Sequence, residues 1–126
     1  MTVYWKQCPG QQLGYLPETS GVYVIVVTCR SGKVIAFYTG QAKNLRTRLM
    51  QHAADSESNA SLKKLFKRHL GAVRIAYCEL SKQWLDGAEK YLFDYYEPQA
   101  TERAPDATPV AISLPEGITK GKVRVL

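Results

Sequence analysis

The sequence predicts an α/β domain in which a small, mainly antiparallel sheet of three strands is flanked by helices. Two apolar runs rich in β-branched and aromatic residues, Gly21 to Val27 and Val34 to Tyr38, are separated by Cys29-Arg30-Ser31-Gly32, a hairpin-type turn signal. In the first run Tyr23, Ile25 and Val27 share one side and Val22, Val24 and Val26 the other, so both faces are apolar and the sheet is covered on both. Downstream, apolar residues recur at helical spacing in three separate stretches.

Residues 1 to 19 read as a lead-in, with Pro9-Gly10 and Pro17 marking turns. The two strands follow, and Gly40 ends the second. A helix begins at Gln41-Ala42-Lys43-Asn44, with Leu45 and Leu49 at i and i+4 facing the core. Asp55 to Asn59 is a polar loop. A second helix is predicted from about Ser61 to Leu70, because Leu62, Leu65, Phe66 and Leu70 form one stripe and Gly71 stands where a cap is expected. Ala72 to Cys78 reads as the third strand, and Trp84 to Tyr96 as the third helix, with Leu85, Ala88, Leu92 and Tyr95 or Tyr96 buried. Pro105, Pro109 and Pro115 make residues 99 to 117 an extended segment lying on the domain or leaving it. Ile118 to Leu126 reads equally as a last short strand or a basic tail. The expected organisation is one domain over residues 1–126, with its core at about 20–101 and a C-terminal extension at 102–126.

At 126 residues, 45% of them hydrophobic, the chain is long enough to bury a substantial core as a single domain. Its formal net charge of +6 suits a polyanionic partner, although a basic balance also serves solubility. Cys8, Cys29 and Cys78 are widely spaced and odd in number, which reads as reduced thiols in a cytoplasmic protein rather than a disulfide framework. No apolar run approaches the ~18 residues of a membrane span, and no basic-then-apolar leader opens the chain, so neither membrane nor export is expected.

The polar residues repay closer attention. Arg48 and His52 are i and i+4 on one helix face, and Tyr23 and Tyr38 lie in neighbouring strands. Two phenols, a guanidinium and an imidazole can therefore meet at one edge of a sheet. Lys63, Lys64, Lys67 and Arg68 occupy the side of the second helix away from its apolar stripe, with no acid among them. With Lys43 and Arg46 they are candidate phosphate contacts; the alternative is a merely solvated face. Glu89 borders the apolar stripe of the third helix, where a carboxylate needs a hydrogen bond, a cation or a metal. His69 reads as a helix-terminal residue, and Trp5 and Trp84 as packing residues.

Four ordered segments carry a resemblance: Gly21-Val22-Tyr23, Tyr38-Thr39-Gly40, the helix start from Gly40 through Arg48-Leu49, and Gly87 to Pro98 containing Glu89. Together, over about residues 20 to 101, they resemble the GIY-YIG nuclease superfamily and look similar to the incision domain of bacterial excision-repair nucleases. The resemblance implies a metal-dependent endonuclease with catalytic Tyr23, Tyr38, Arg48, His52 and Glu89. Tyr23 would be the base or water-positioning group, with Tyr38 bonding the water or phosphate, or these two roles exchanged. Arg48 would clamp the phosphate, His52 would donate to the phosphate or to Tyr23, and Glu89 would hold one Mg²⁺ or Mn²⁺.

For a phenol of ordinary pKa ~10 to act as base, nearby cations must favour its phenolate, and Lys43, Arg48 and His52 are the expected source. The chain departs from the family pattern at Thr101, where many members have asparagine, and at Thr39, where isoleucine is common. The expected substrate is DNA, with RNA possible, cut with structure selectivity or weak sequence specificity; further specificity would come from a homodimer or a partner protein. The rival readings are a restriction-type enzyme, an RNA-cleaving toxin and a catalytically inactive binding module.

Overall fold

A computed structural model describes all 126 residues. Four strands, β1 (Lys6–Pro9), β2 (Gly21–Thr28), β3 (Val34–Ala42) and β4 (Val73–Glu79), form one antiparallel sheet in the order β1-β4-β2-β3. Three helices complete the layers: α1 (Leu45–Ala53), α2 (Ala60–Arg68) and α3 (Leu85–Tyr96).

The sheet thus has four strands where the sequence predicts three. The added strand, β1, lies in the lead-in and pairs Cys8 with Ile75. It is four residues long, buries only Cys8 fully and ends on Pro9, a residue tolerated at a sheet edge, so it has no alternating pattern to read. Beyond it, Gly10–Tyr15 is a 3₁₀ helix rather than a turn.

The start of α1 is also corrected. β3 continues to Ala42, which pairs with Gly21, and the helix begins only at Leu45. Asn44 caps it, its side-chain oxygen accepting the Thr47 N–H at 3.0 Å. Asn59 caps α2 in the same way, accepting from Leu62 N–H at 3.1 Å. That helix stops at Arg68, and Leu70–Ala72 form a 3₁₀ turn in which Gly71 does not take the left-handed cap conformation. α3 ends at Tyr96 and is capped by Glu97, whose φ of 46° is left-handed, immediately before Pro98.

Two cores follow from the alternation along β2. Tyr23, Ile25 and Val27 face Leu45 and Leu49 of α1 and Leu62, Leu65 and Phe66 of α2. Val22, Val24 and Val26 face Leu85, Ala88, Leu92 and Tyr96 of α3. Of the two alternatives for the C-terminal residues, a short strand and a tail, neither is fully realised. Thr119 makes a single parallel bridge to Ile35, and Ile112 and Ile118 are buried against the α3 side. No helix is long and apolar enough to cross a membrane.

One irregularity in the sheet positions the site. Ile25 pairs with Tyr38 but Val26 with Ala36, so Phe37 is an extra, unpaired residue: a β-bulge. Strict alternation would put Tyr38 on the face of Ala36, toward α3. The bulge instead lets Phe37 and Tyr38 both pack against the core of Tyr23.

Candidate active site

Tyr23 is fully buried in β2, and its hydroxyl lies 2.7 Å from His52 Nε2. The Tyr38 ring stacks beside it, with centroids 6.3 Å apart and planes 17° from parallel, and meets the His52 ring edge-on at 4.9 Å. His52, one turn after Arg48 on α1, is itself buried. Its other nitrogen, Nδ1, is 2.7 Å from Glu57 Oε2. Glu57 Oε1 in turn accepts the backbone N–H of Asn59 at 2.9 Å.

Gly40 is what allows Tyr23 to lie there. The two residues are directly paired across β2 and β3, so their Cβ positions share a face. A Cβ on Gly40 would stand 2.5 Å from Tyr23 Oη and 2.6 Å from Cζ, inside the ring's own space. Gly21 meets a similar limit on the other flank, where a Cβ would be 2.2 Å from the Cys78 carbonyl oxygen.

Arg48 is half-buried, and its charge acts on both tyrosines, His52, Glu57 and Glu89. Glu89 comes from α3, which packs on the opposite sheet face but also against the edge strand β3. It is only 7% exposed, and its charge in turn reaches Tyr23 and Tyr38. Beside it, the Gln41 amide donates to Asp86 Oδ1 at 2.6 Å.

Burial dominates the titration of this cluster. It pushes Tyr23 well above the usual phenol range, the Tyr38 charge adds to this, and Arg48 opposes without reversing it. Tyr38 is raised for the same leading reason. The expectation that cations would make Tyr23 a ready phenolate is therefore corrected. Lys43 is exposed, and His52 is not a cation: burial, then Arg48, lower it to about 4 despite Glu57. Burial also resists ionisation of Glu57, but the Asn59 N–H and His52 hold its pKa below the ordinary value. Burial raises Glu89 to about 7; Gln41 and Arg48 oppose the rise and Asp86 reinforces it.

The remaining basic residues are dispersed. Arg46 is tied to the lead-in, its Nε donating to the Leu16 carbonyl at 2.8 Å and its guanidinium 3.6 Å from Glu18. Lys67 is 3.4 Å from Asp55. Lys63 and Lys64 are half-buried early in α2, and Arg68 is exposed in its last turn. His69 Nε2 lies 2.9 Å from the Leu126 carbonyl oxygen, and Trp5 Nε1 donates to the Ser113 carbonyl at 2.7 Å. Thr101 is turned to the β3 edge, where its hydroxyl oxygen accepts the Thr39 N–H at 2.9 Å.

A family model described as the GIY-YIG catalytic domain matches residues 19–103 of the 126. The chain belongs to the GIY-YIG family. A comparison with curated proteins gives no match. Membership assigns a nuclease fold, in a family of endonucleases that generally use divalent metal ions. In this GIY-YIG domain no three His, Cys, Asp or Glu side chains gather into a metal-holding group. Glu89 is a buried carboxylate with the Asp86 carboxylate close enough to act on it, so the donors at this point of the site are hard oxygens. That suits a hard cation of the Mg²⁺ class, which keeps several waters and binds through one or two carboxylates plus substrate phosphate.

Glu57 and Asn59 escape a sequence reading because they sit in a polar loop without periodicity. Asn59 alone carries a legible signal, that of a residue preceding a helix.

Proposed function

We propose that this chain is a metal-dependent endonuclease that hydrolyses phosphodiester bonds in DNA. The observation that carries the reading is the convergence of Tyr23, Tyr38, Arg48 and His52 at the edge strand, within electrostatic reach of the buried Glu89. Glu89, buried and raised to about 7 chiefly by that burial, is a perturbed carboxyl of the kind that gathers at functional sites.

The residues divide the work of hydrolysis. Arg48 presents a planar fork of donors that holds the scissile phosphate and neutralises the charge growing on it. Tyr23 takes a proton from the attacking water as its own hydroxyl proton passes to His52 Nε2 across the 2.7 Å contact. This coupling removes the need for a free phenolate, which burial disfavours. Tyr38, stacked on Tyr23 and less buried, orients the water or the phosphate. Glu89 would hold one Mg²⁺ or Mn²⁺, whose charge, when bound, polarises the phosphate and stabilises the leaving oxygen. Lys43, Lys63, Lys64 and Arg68 supply backbone contacts with the strand, with Arg46 and Lys67 contributing once released from their acidic partners. Such contacts carry no base readout, which supports structure-selective or weakly specific cutting.

The test is incubation of end-labelled duplex, branched DNA and single-stranded RNA with Mg²⁺ or Mn²⁺, with and without chelator. The expected result is ion-dependent cutting of DNA, with branched or duplex substrate preferred. Discrete plasmid fragments would indicate a restriction-type enzyme, and preference for RNA an RNA-cleaving one. Binding of folded protein without cutting of any substrate would replace the proposal by a binding module.

A further inference from the structure

We propose that Glu57 is a positioning residue that locks His52 in the tautomer able to accept the Tyr23 proton, so that Glu57, His52 and Tyr23 act as one relay. The proposal rests on the endonuclease reading for its catalytic meaning, but its structural content stands separately.

The Asn59 backbone N–H can only donate, so Glu57 Oε1 must accept, at 2.9 Å. The carboxylate side chain is 8% exposed and held in place by this bond. Its second oxygen faces His52 Nδ1 at 2.7 Å. With Glu57 ionised, the state its lowered pKa favours, Nδ1 must carry the proton and donate it. In a neutral imidazole the other nitrogen is then bare. That nitrogen, Nε2, is the one 2.7 Å from the Tyr23 hydroxyl, so Tyr23 must donate to it.

The surroundings leave His52 no other polar anchor. The groups that face it are Tyr23 from β2, Tyr38 from β3, Arg48 one turn back on α1, and Glu57 from the loop that follows. Tyr38 presents its ring, at 4.9 Å, and Arg48 has no acceptor. Glu57 alone decides which nitrogen carries the hydrogen. It also balances the charge when His52 briefly becomes an imidazolium, as the proton moves from water oxygen to Tyr23 Oη and from Tyr23 Oη to His52 Nε2. The Tyr23 Oη–H bond breaks as the His52 Nε2–H bond forms, a new Oη–H bond forms with the proton from water, and no covalent bond joins the protein to the substrate.

Asn59 extends the arrangement. Its backbone N–H holds Glu57, its side-chain oxygen caps α2, and its side-chain N–H donates to the Ala100 carbonyl at 2.8 Å. Ala100 N–H in turn donates to the Phe37 carbonyl, at the bulge that aims Tyr38. The loop that holds Glu57 is thereby fastened to the edge strand that holds the second tyrosine.

Glutamine at position 57 makes the sharpest test, because it has one acceptor oxygen where the site uses two. With that oxygen on the Asn59 N–H, the amide N–H₂ points at His52 Nδ1 and demands an acceptor there. The tautomer then reverses, and Nε2–H faces Tyr23. Long-range ¹H–¹⁵N correlation spectra of uniformly labelled wild type at pH 7 are expected to show a protonated Nδ1 and a bare Nε2 on His52. Glu57→Gln is expected to populate the opposite tautomer and to cut DNA about 10²–10⁴-fold more slowly under single turnover, with DNA affinity unchanged.

A wild-type His52 protonated on Nε2, or a Glu57→Gln variant that cuts at the wild-type rate, would overturn the proposal. If Glu57→Gln does not fold, the wild-type tautomer still decides it. If the wild type cuts no substrate, the endonuclease reading fails while the tautomer continues to test the Glu57 assignment independently.

Discussion

Glu89→Gln is expected to reduce ion-dependent cleavage by roughly 10³-fold or more, since Lewis-acid stabilisation of a phosphoryl oxygen contributes several kcal/mol and each 1.36 kcal/mol is about tenfold. The same substitution is expected to stabilise the ion-free fold at pH 8. Burial raises the Glu89 carboxyl to about 7 in the folded chain against an ordinary 4.5. As pH rises through this window the unfolded chain releases the proton first, so stability falls between about pH 4.5 and 7 and the full penalty applies above. At about 1.36 kcal/mol per pKa unit the shift corresponds to a penalty on the order of 3 kcal/mol. Glutamine carries no such penalty, so its advantage appears at pH 8 and disappears by pH 4.5. Urea unfolding of both proteins in chelator at the two pH values measures it. A Glu89→Gln variant less stable than wild type at pH 8 would mark Glu89 as a structural residue instead.

Gly40→Ala is the second large effect, and it acts through shape rather than charge. The new methyl would lie 2.5 Å from Tyr23 Oη and 3.0 Å from Cε2. Tyr23 is fully buried on the sheet face that packs against α1 and α2. Overpacking of this kind costs about 1–3 kcal/mol of stability. Any relief by ring movement breaks the 2.7 Å contact to His52, and misplacement of a reacting group by 1 Å costs about 10² in rate. Gly14→Ala is the control, because a Cβ there meets nothing within 4 Å. Thermal melts and cleavage rates compare the two variants. Equal behaviour of Gly40→Ala and Gly14→Ala would mean that the Tyr23 ring does not need the open space above Gly40.

Most of the scaffold is legible in the sequence because burial leaves a periodic trace. β2 reads as a strand covered on both sides since both of its alternating sets are apolar, and the structure puts one set against α1 and α2 and the other against α3. Arg48 and His52 fall on one helix face by spacing alone. What the sequence does not disclose has no period. β1 buries a single cysteine completely. The Phe37 bulge breaks the alternation at the point where Tyr38 must turn toward Tyr23. Glu57 reaches His52 from a loop of small polar residues, where a buried carboxylate looks like any solvated one. The electrostatics are similarly hidden, because the direction of the Tyr23 shift depends on burial that outweighs a neighbouring guanidinium.

The central claim is that Tyr23 passes protons in phosphodiester hydrolysis, and single-turnover cleavage of end-labelled DNA by wild type and Tyr23→Phe tests it most directly, with DNA binding measured in parallel. Phenylalanine keeps the buried ring and removes only the hydroxyl that lies 2.7 Å from His52 Nε2. Tyr23→Phe is expected to bind within about threefold of wild type and to cut about 10²–10⁴-fold more slowly, the usual contribution of general acid–base catalysis. A Tyr23→Phe protein that binds and cuts at the wild-type rate would contradict the claim.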